Sequence, residues 1–318
     1  MSKINREDIQ IISSHSNWSI SSVEKALQDN VYNSSGSWKK FLKLILLVLG
    51  IGFSVAGIIF FFAYNWAHLN KFAKIGIVQS LIIITTALAI IPRSSQAMKN
   101  IFLTGASVLI GVLFAVFGQI YQTGANAFDF FLAWTICITI WVLVSGFAPL
   151  WLIWIALMNT VIVLYSQQVA NTWRETDVLV LLTILNALIL LSSLFLNWSK
   201  TKIHIWFTNT IALAVVSFST IGICIGIFDK FHPSFAIQLL VTAILYISGF
   251  FYGIRNKRAF YLSVIPFSLI IIIATLLIKI SDNEWMFLLA SLFIIGSVTF
   301  LIIKLIGLQK TWANEAGR

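Results

Sequence analysis

Ten long apolar runs constrain the fold of this sequence more than any other feature. Each holds roughly twenty residues, which is the length that a helix needs to cross membrane hydrocarbon. They lie near residues 43–65, 73–91, 101–121, 127–146, 149–167, 178–197, 204–227, 235–253, 259–279 and 284–305. Because lipid offers backbone groups no partner, such segments must be helices or a closed barrel, and unbroken apolar runs favour helices. The sequence predicts an all-α polytopic membrane bundle of about ten transmembrane helices, occupying residues 38–318.

The formal net charge of +10 is explained by membrane orientation and does not indicate a nucleic-acid partner. If the amino terminus is cytoplasmic, the loops on that side collect basic residues such as Lys39, Lys99 and Arg255, while the opposite side carries carboxylates such as Asp129 and Glu175. This alternation follows the positive-inside rule and requires an even number of spans. We therefore expect a multi-pass protein of the bacterial cytoplasmic (inner) membrane, with both termini cytoplasmic and membrane lipids as its partners.

The first 37 residues differ in kind from the rest and form a predicted cytoplasmic helical segment with a linker. Apolar residues recur at roughly helical spacing, and Ser19 is placed to cap a helix that ends near residue 29. The NSSGS stretch at 33–37 is typical of a flexible link. Two interpretations stay open: an appendage that rests on the bundle or on the lipid head groups, and a hairpin that docks a protein partner.

No catalytic, metal or cofactor motif is visible. Nucleotide-binding loops of the GxxxxGK[ST] and GxGxxG types are absent, as are HExxH and GxSxG. The four histidines are scattered without metal-ligand spacing, and no apolar run carries a central carboxylate of the kind that proton-moving membrane proteins bury. We therefore predict no catalytic residue, no metal and no cofactor, and an enzyme is the least favoured of the functional classes.

Small residues at helical spacing predict close helix packing. They are Thr104, Gly111, Ala115 and Gly118 in the third run, Gly50 with Ser54 in the first, and Gly222 with Gly226 in the seventh. Pro266, inside the ninth run, removes a backbone hydrogen bond and is expected to kink that helix.

The stretch FGQIYQTGANAFDFFLAW, at 117–134, interrupts the apolar pattern with an unusual density of polar residues. Local structure accounts for part of it. Gly124 suits a turn, Asn126 is placed to cap the fourth membrane helix, and Asp129 stands at its third position, as in a capping box. These three residues are predicted to be structural.

Capping does not account for Gln119, Tyr121 and Gln122. Unpaired amides facing lipid would cost several kcal/mol, so these side chains should face protein, water or a ligand. Amides do not titrate, which favours hydrogen bonding to a neutral or head-group-like partner over proton relay. Together with Trp134, these three residues form the predicted substrate-binding set; a purely structural hairpin is the alternative.

The segment GQIYQTGA, residues 118–125, followed by Asp129 and Trp134, resembles the signature of a bacterial membrane-protein family catalogued as domain-of-unknown-function family 2157. The resemblance covers roughly the first half of the chain. It implies a short helical amino-terminal segment followed by many membrane spans, and it implies no chemistry. The count of ten helices is also similar to that of the drug/metabolite exporter superfamily, a weaker likeness that we use only to rank functional hypotheses.

Two functional hypotheses follow. In the first, the protein binds or transports a small amphiphilic or lipid-like substrate, because a polar, non-titrating cluster stands beside an otherwise apolar bundle. In the second, it is a non-transporting membrane scaffold or regulator whose amino-terminal hairpin docks a partner.

Overall fold

The computed structural model describes residues 9, 11–13, 15–31, 35–65, 69–91, 95–122, 124–198, 204–280 and 284–316. Within these ranges the named elements are all helices: α1 (Ile20–Asn30), α2 (Ser35–Asn65), α3 (Lys71–Ile90), α4 (Gln96–Tyr121), α5 (Ala127–Ser145), α6 (Ala148–Gln168), α7 (Glu175–Trp198), α8 (Ile205–Phe228), α9 (Pro233–Arg255), α10 (Ala259–Ile280) and α11 (Glu284–Ala316). The ten helices from α2 to α11 are each long and apolar enough to cross a membrane. The predicted all-α polytopic fold is confirmed.

The ends of two helices differ from the sequence prediction. Helix α2 begins at Ser35 rather than near 43, and α11 continues to Ala316 rather than stopping near 305. Hydropathy marks where a helix enters lipid, whereas the backbone hydrogen bonds continue into the polar flanks. Residues 35–37 of the predicted linker therefore belong to α2, and residues 33 and 34 lie outside the described residues.

The described residues divide into two compact units, one ending at Lys74 and the other running from Ile75 to Ala316. In the first unit, α1 starts as the sequence predicts. Ser19 is its N-cap, and the Ser19 hydroxyl accepts a hydrogen bond from the Ser22 backbone N–H at 3.2 Å. The division of the chain at residue 37 stays a prediction.

The core of the second unit is built around α8. Helices next to each other in sequence pack together from α4 through α11, and α8 also contacts α10. The main apolar cluster joins Ile211 and Val215 of α8 to residues of α6, α7, α9 and α10, including Tyr246 and Ile265. A second cluster, with Ile138 and other residues of α5 and α6 at its centre, lies beneath part of α4.

Polar side chains pair across these helices. The amides of Asn159 on α6 and Asn186 on α7 bond reciprocally, with N···O distances of 3.3 and 2.7 Å, and Asn186 is fully buried. Gln238 on α9 is also fully buried, and its Nε2 donates to the Thr183 hydroxyl on α7 at 3.2 Å. Because lipid cannot satisfy these groups, such pairs fix which helix faces meet.

The predicted close approaches occur at three of the five glycines in the seams. A Cβ at Gly111 would come within 2.6 Å of the Trp134 ring, and one at Gly222 within 3.0 Å of the Gln238 side chain. Gly226 is equally confined by Phe235. Gly118 differs, because none of the described residues comes within 4 Å of its Cβ position.

Close packing at Gly50 was also predicted, and that prediction is wrong within the described part of the chain, where no atom comes within 4 Å of its Cβ position. The Ser54 hydroxyl instead donates to the Gly50 carbonyl at 2.7 Å, within α2 itself. Pro266 lies inside α10, and the kink at that residue stays a prediction.

Candidate binding groove between α4 and α5

The polar stretch folds into the turn between α4 and α5. Helix α4 ends at Tyr121, and Gln122 is its C-cap, in a left-handed conformation with φ 41° and ψ 49°. The Gln122 N–H donates to the Gly118 carbonyl at 3.0 Å. Gln122 therefore does not continue the helix, as its spacing from Gly111 suggests, but turns the chain. Gly124, with φ +65°, completes the turn; Thr123, between them, lies outside the described residues.

Helix α5 begins as the sequence predicts. Asn126 and Asp129 form a capping box, in which the Asn126 backbone N–H donates to the Asp129 carboxylate at 3.1 Å. A third group, from outside this turn, completes the cap. Gln168, at the end of α6, accepts a hydrogen bond from the Phe128 N–H at 2.9 Å. The start of α5 is thus held both locally and by its neighbouring helix.

A groove of about 730 Å³ opens between α4 and α5 at this turn, and we call it the α4–α5 groove. Helix α4 and its C-cap contribute Phe114, Ala115, Phe117, Gly118, Gln119 and Gln122, while the turn and α5 contribute Gly124, Ala125, Asn126, Ala127, Asp129, Phe130 and Ala133. The space exists because the α4 side carries small residues: Gly118 has no side chain to fill it. A volume between about 300 and 1,000 Å³ is typical of small-molecule sites.

Gln119 and Gln122 both line this groove, and both are exposed. Within the described residues, neither side-chain amide has a hydrogen-bond partner. The two amides are the groups in this groove that local helix chemistry leaves unused. The structure thus brings together two members of the predicted binding set.

Tyr121 lies beside the groove and is not among the residues that line it. Its ring packs against Phe117 with 4.5 Å between centroids, and the side chain remains 42% exposed. Phe117 does line the groove, so Tyr121 supports one wall indirectly.

Trp134 is placed deeper and joins the two helices. Its indole Nε1 donates to the backbone carbonyl of Ser107 on α4 at 2.7 Å, and its ring lies flat against Gly111. It does not line the groove. Trp134 therefore sets the spacing of α4 and α5 beneath the groove, a packing role for a residue that the sequence placed in the binding set.

An aromatic contact closes the groove towards Trp134. Phe114 of α4 and Phe130 of α5 meet edge to face with 6.3 Å between ring centroids, and Phe130 also contacts Trp134 at 6.0 Å. Both phenylalanines line the groove. The site is therefore amphipathic, with amides and a carboxylate near the turn and aromatic rings at its base.

Sequence reasoning missed the two phenylalanines and Gln168. Phe114 and Gly118 share a face of α4, since they stand four residues apart, and this face leads to Gln122 at the end of the helix. That spacing is a usable signal. Nothing in the sequence links Gln168 to Phe128, forty residues away, because the contact depends on how α5 and α6 pack.

No group of three His, Cys, Asp or Glu side chains able to hold a metal is found among the described residues. Cys137 and Cys224 are both free thiols.

Comparison with known proteins agrees with the motif. A family model described as a predicted membrane protein of the DUF2157 family matches residues 10–151, a segment that contains the whole α4–α5 groove. Searches of the curated proteins and of the solved structures gave no significant match. The resemblance inferred from GQIYQTGA is thus confirmed: residues 10–151 match the model of the predicted membrane proteins catalogued as DUF2157.

Proposed function

We propose that the α4–α5 groove binds the polar head of a lipid-like amphiphile and that the protein binds or transports this molecule in the bacterial cytoplasmic membrane. One observation carries the proposal. Gln119 and Gln122 present two amides, without partners among the described residues, to a groove whose base is aromatic.

The energetics of the bilayer support this assignment. An amide that loses water without gaining a hydrogen bond is unfavourable by several kcal/mol in hydrocarbon. Amide side chains within the membrane normally form hydrogen bonds across helices, as Asn159 and Asn186 do in this chain. A head group or ordered water in the groove would satisfy Gln119 and Gln122 in the same way.

The walls supply the complementary half of an amphiphile site. Phe114 and Phe130 form the base, and Ala115 and Ala133 leave room above it. Aromatic and apolar lining with a few convergent polar groups is the usual composition of a small-molecule site. An acyl chain would lie along the rings while its head remains at the turn.

Photolabelling tests binding. A dodecyl chain carrying a diazirine and a polar head is added to the purified protein in nanodiscs, and the labelled peptides are identified by mass spectrometry. We expect labels on the facing segments of α4 and α5, with at least a threefold reduction for Gln119→Leu and for Gln122→Leu. Gln79→Leu is the matched control, because Gln79 is an exposed glutamine of α3 outside the groove lining.

Detergent melts accompany the labelling, because a variant that unfolds gives no information on binding. If both groove variants remain folded and label as strongly as the control, the binding proposal fails and the stretch is a structural hairpin. Movement of a fluorescent acyl lipid across proteoliposomes, measured by dithionite quenching, then separates transport from binding alone.

A scaffold or regulator is the second candidate, and one observation favours it. At the start of α1, the side chains of Trp18 and Ile20 are 43% and 87% exposed. Large apolar side chains on a short helix are typical of docking segments. Co-purification of one stoichiometric partner, lost on removal of residues 1–36 while the lipid assays are unchanged, would support this role over the first.

A further inference from the structure

The described lining of the α4–α5 groove carries negative charge and no positive charge. Among the described residues that line it, Asp129 is the single charged side chain, and no Lys, Arg or His accompanies it. Asp129 is exposed, and only one of its carboxylate oxygens, Oδ2, bonds within the described residues, to the Asn126 N–H. The second oxygen is available to a ligand.

The start of α5 would ordinarily attract an anion, because free N–H groups and the helix dipole converge there. In this helix three of the N–H groups at and after the N-cap already have acceptors. The Asn126 N–H bonds to Asp129, the Phe128 N–H to Gln168 at 2.9 Å, and the Asp129 N–H to the Asn126 carbonyl at 3.1 Å. A phosphate at this position would have to displace protein acceptors and approach a carboxylate.

The two amides do not decide the sign of the ligand charge, since each carries both a donor and an acceptor. They will bond an ammonium through oxygen or a phosphate through nitrogen. Asp129 therefore determines the preference. A carboxylate attracts an ammonium and repels a phosphate, and both effects act in the same direction.

We propose that the α4–α5 groove selects amphiphiles whose head group presents a primary ammonium and disfavours those whose head group is a bare phosphate. The inference rests on the proposed function, because it concerns the ligand of the same site. The ammonium would lie between Asp129 and the carbonyl oxygens of Gln119 and Gln122, with its alkyl chain over Phe114 and Phe130.

The test uses three photoreactive dodecyl probes that differ only in the head: ammonium, hydroxyl or phosphate. Unequal partitioning into the bilayer is corrected by an internal reference. The α10–α11 groove, lined by residues such as Pro266, Phe293 and Phe300, contains no charged side chain among its described lining residues. For each probe, labelling of the α4–α5 groove is divided by labelling of this reference.

We expect the corrected labelling to be about tenfold higher for the ammonium probe than for the phosphate probe. An exposed carboxylate attracts the ammonium and repels the phosphate, and the two effects together account for a difference of this size. Asp129→Asn should bring the two probes close to equality. Asp129→Glu, which keeps the charge and is compatible with a capping box, should preserve the preference. High salt should weaken it, because Asp129 is exposed.

The outcomes distinguish a failure of the head-group inference from a failure of the proposed function. Equal labelling by the ammonium and phosphate probes would overturn the head-group inference and leave amphiphile binding intact. A preference that survives in a folded Asp129→Asn variant would also overturn it. If no probe labels the α4–α5 groove above the α10–α11 reference, the proposed function itself fails.

Discussion

Replacing Gly111 by alanine tests whether Trp134 sets the spacing between α4 and α5. The new Cβ would lie 2.6 Å from Cε2, Cζ2 and Cη2 of the indole. Ordinary carbon contacts begin near 3.5 Å, so the ring or the helix must move by about 1 Å. The 2.7 Å bond from Nε1 to the Ser107 carbonyl and the contact with Phe130 resist that movement.

The loss of stability expected for Gly111→Ala follows from a comparison with Gly118→Ala. Both changes lie in α4 and share the gain of about 1 kcal/mol from replacing a helical glycine. At Gly118 no described atom lies within 4 Å of the new methyl group, so only Gly111→Ala carries an overpacking penalty of about 1–3 kcal/mol. We expect Gly111→Ala to melt below Gly118→Ala, by about 4–8 °C for a penalty near 2 kcal/mol.

Detergent thermal melts measure this difference, and Trp134→Phe locates its cause. Phenylalanine lacks the part of the indole that the new methyl group meets. The double variant of Gly111→Ala with Trp134→Phe should therefore be less destabilised than the sum of the single changes, by about 1–2 kcal/mol. Equal melting of Gly111→Ala and Gly118→Ala, or additive effects in the double variant, would refute the role given to Trp134.

Three further predictions concern folding and topology. Asn159→Leu and Asn186→Leu should each destabilise the protein by about 1–3 kcal/mol, because each removes the cross-helix partner of the other amide, which is buried at Asn186 and half-buried at Asn159. The double change should destabilise less than the sum of the two single changes, and additivity in melts would contradict the pairing. Asn126→Ala should lower stability by about 1 kcal/mol with amphiphile labelling unchanged in the folded fraction, and a loss of labelling without a loss of stability would assign it to the ligand instead. In a cysteine-free background, a membrane-impermeant maleimide added to intact cells should label Ala125→Cys and not Asn256→Cys; the reverse result would invert the predicted orientation.

The number of membrane helices was predictable because hydrocarbon thickness fixes their length and lipid forbids unpaired backbone. The start of α5 was predictable because a capping box is local: Asn126 and Asp129 stand three residues apart. Gln119 and Gln122 were singled out because amides in an apolar segment need partners, and the structure places both in one groove; the left-handed conformation of Gln122 was not predicted. In each case the physical cause lies within a single segment of the sequence.

The contacts between helices were not predictable from one sequence. Helices α4 to α11 are apolar on nearly every face, so no hydrophobic stripe reveals how each is rotated. The positions of Asn159 and Asn186 carry no sign that they pair, and Trp134 gives no sign that it bonds to Ser107. Because the base of the groove depends on these rotations, Phe114 and Phe130 entered the site only through the structure.

The left-handed backbone at Gln122 places thermal stability in conflict with the ligand binding proposed for its side chain. A residue with a Cβ is less favourable by about 1 kcal/mol in this conformation, whereas glycine adopts it freely. Selection for heat resistance alone should therefore favour Gln122→Gly, which keeps the turn and removes one amide from the groove. A thermostabilised form obtained in this way, the kind often preferred for experimental structure determination, would preserve the architecture of the groove while losing part of the proposed ligand affinity.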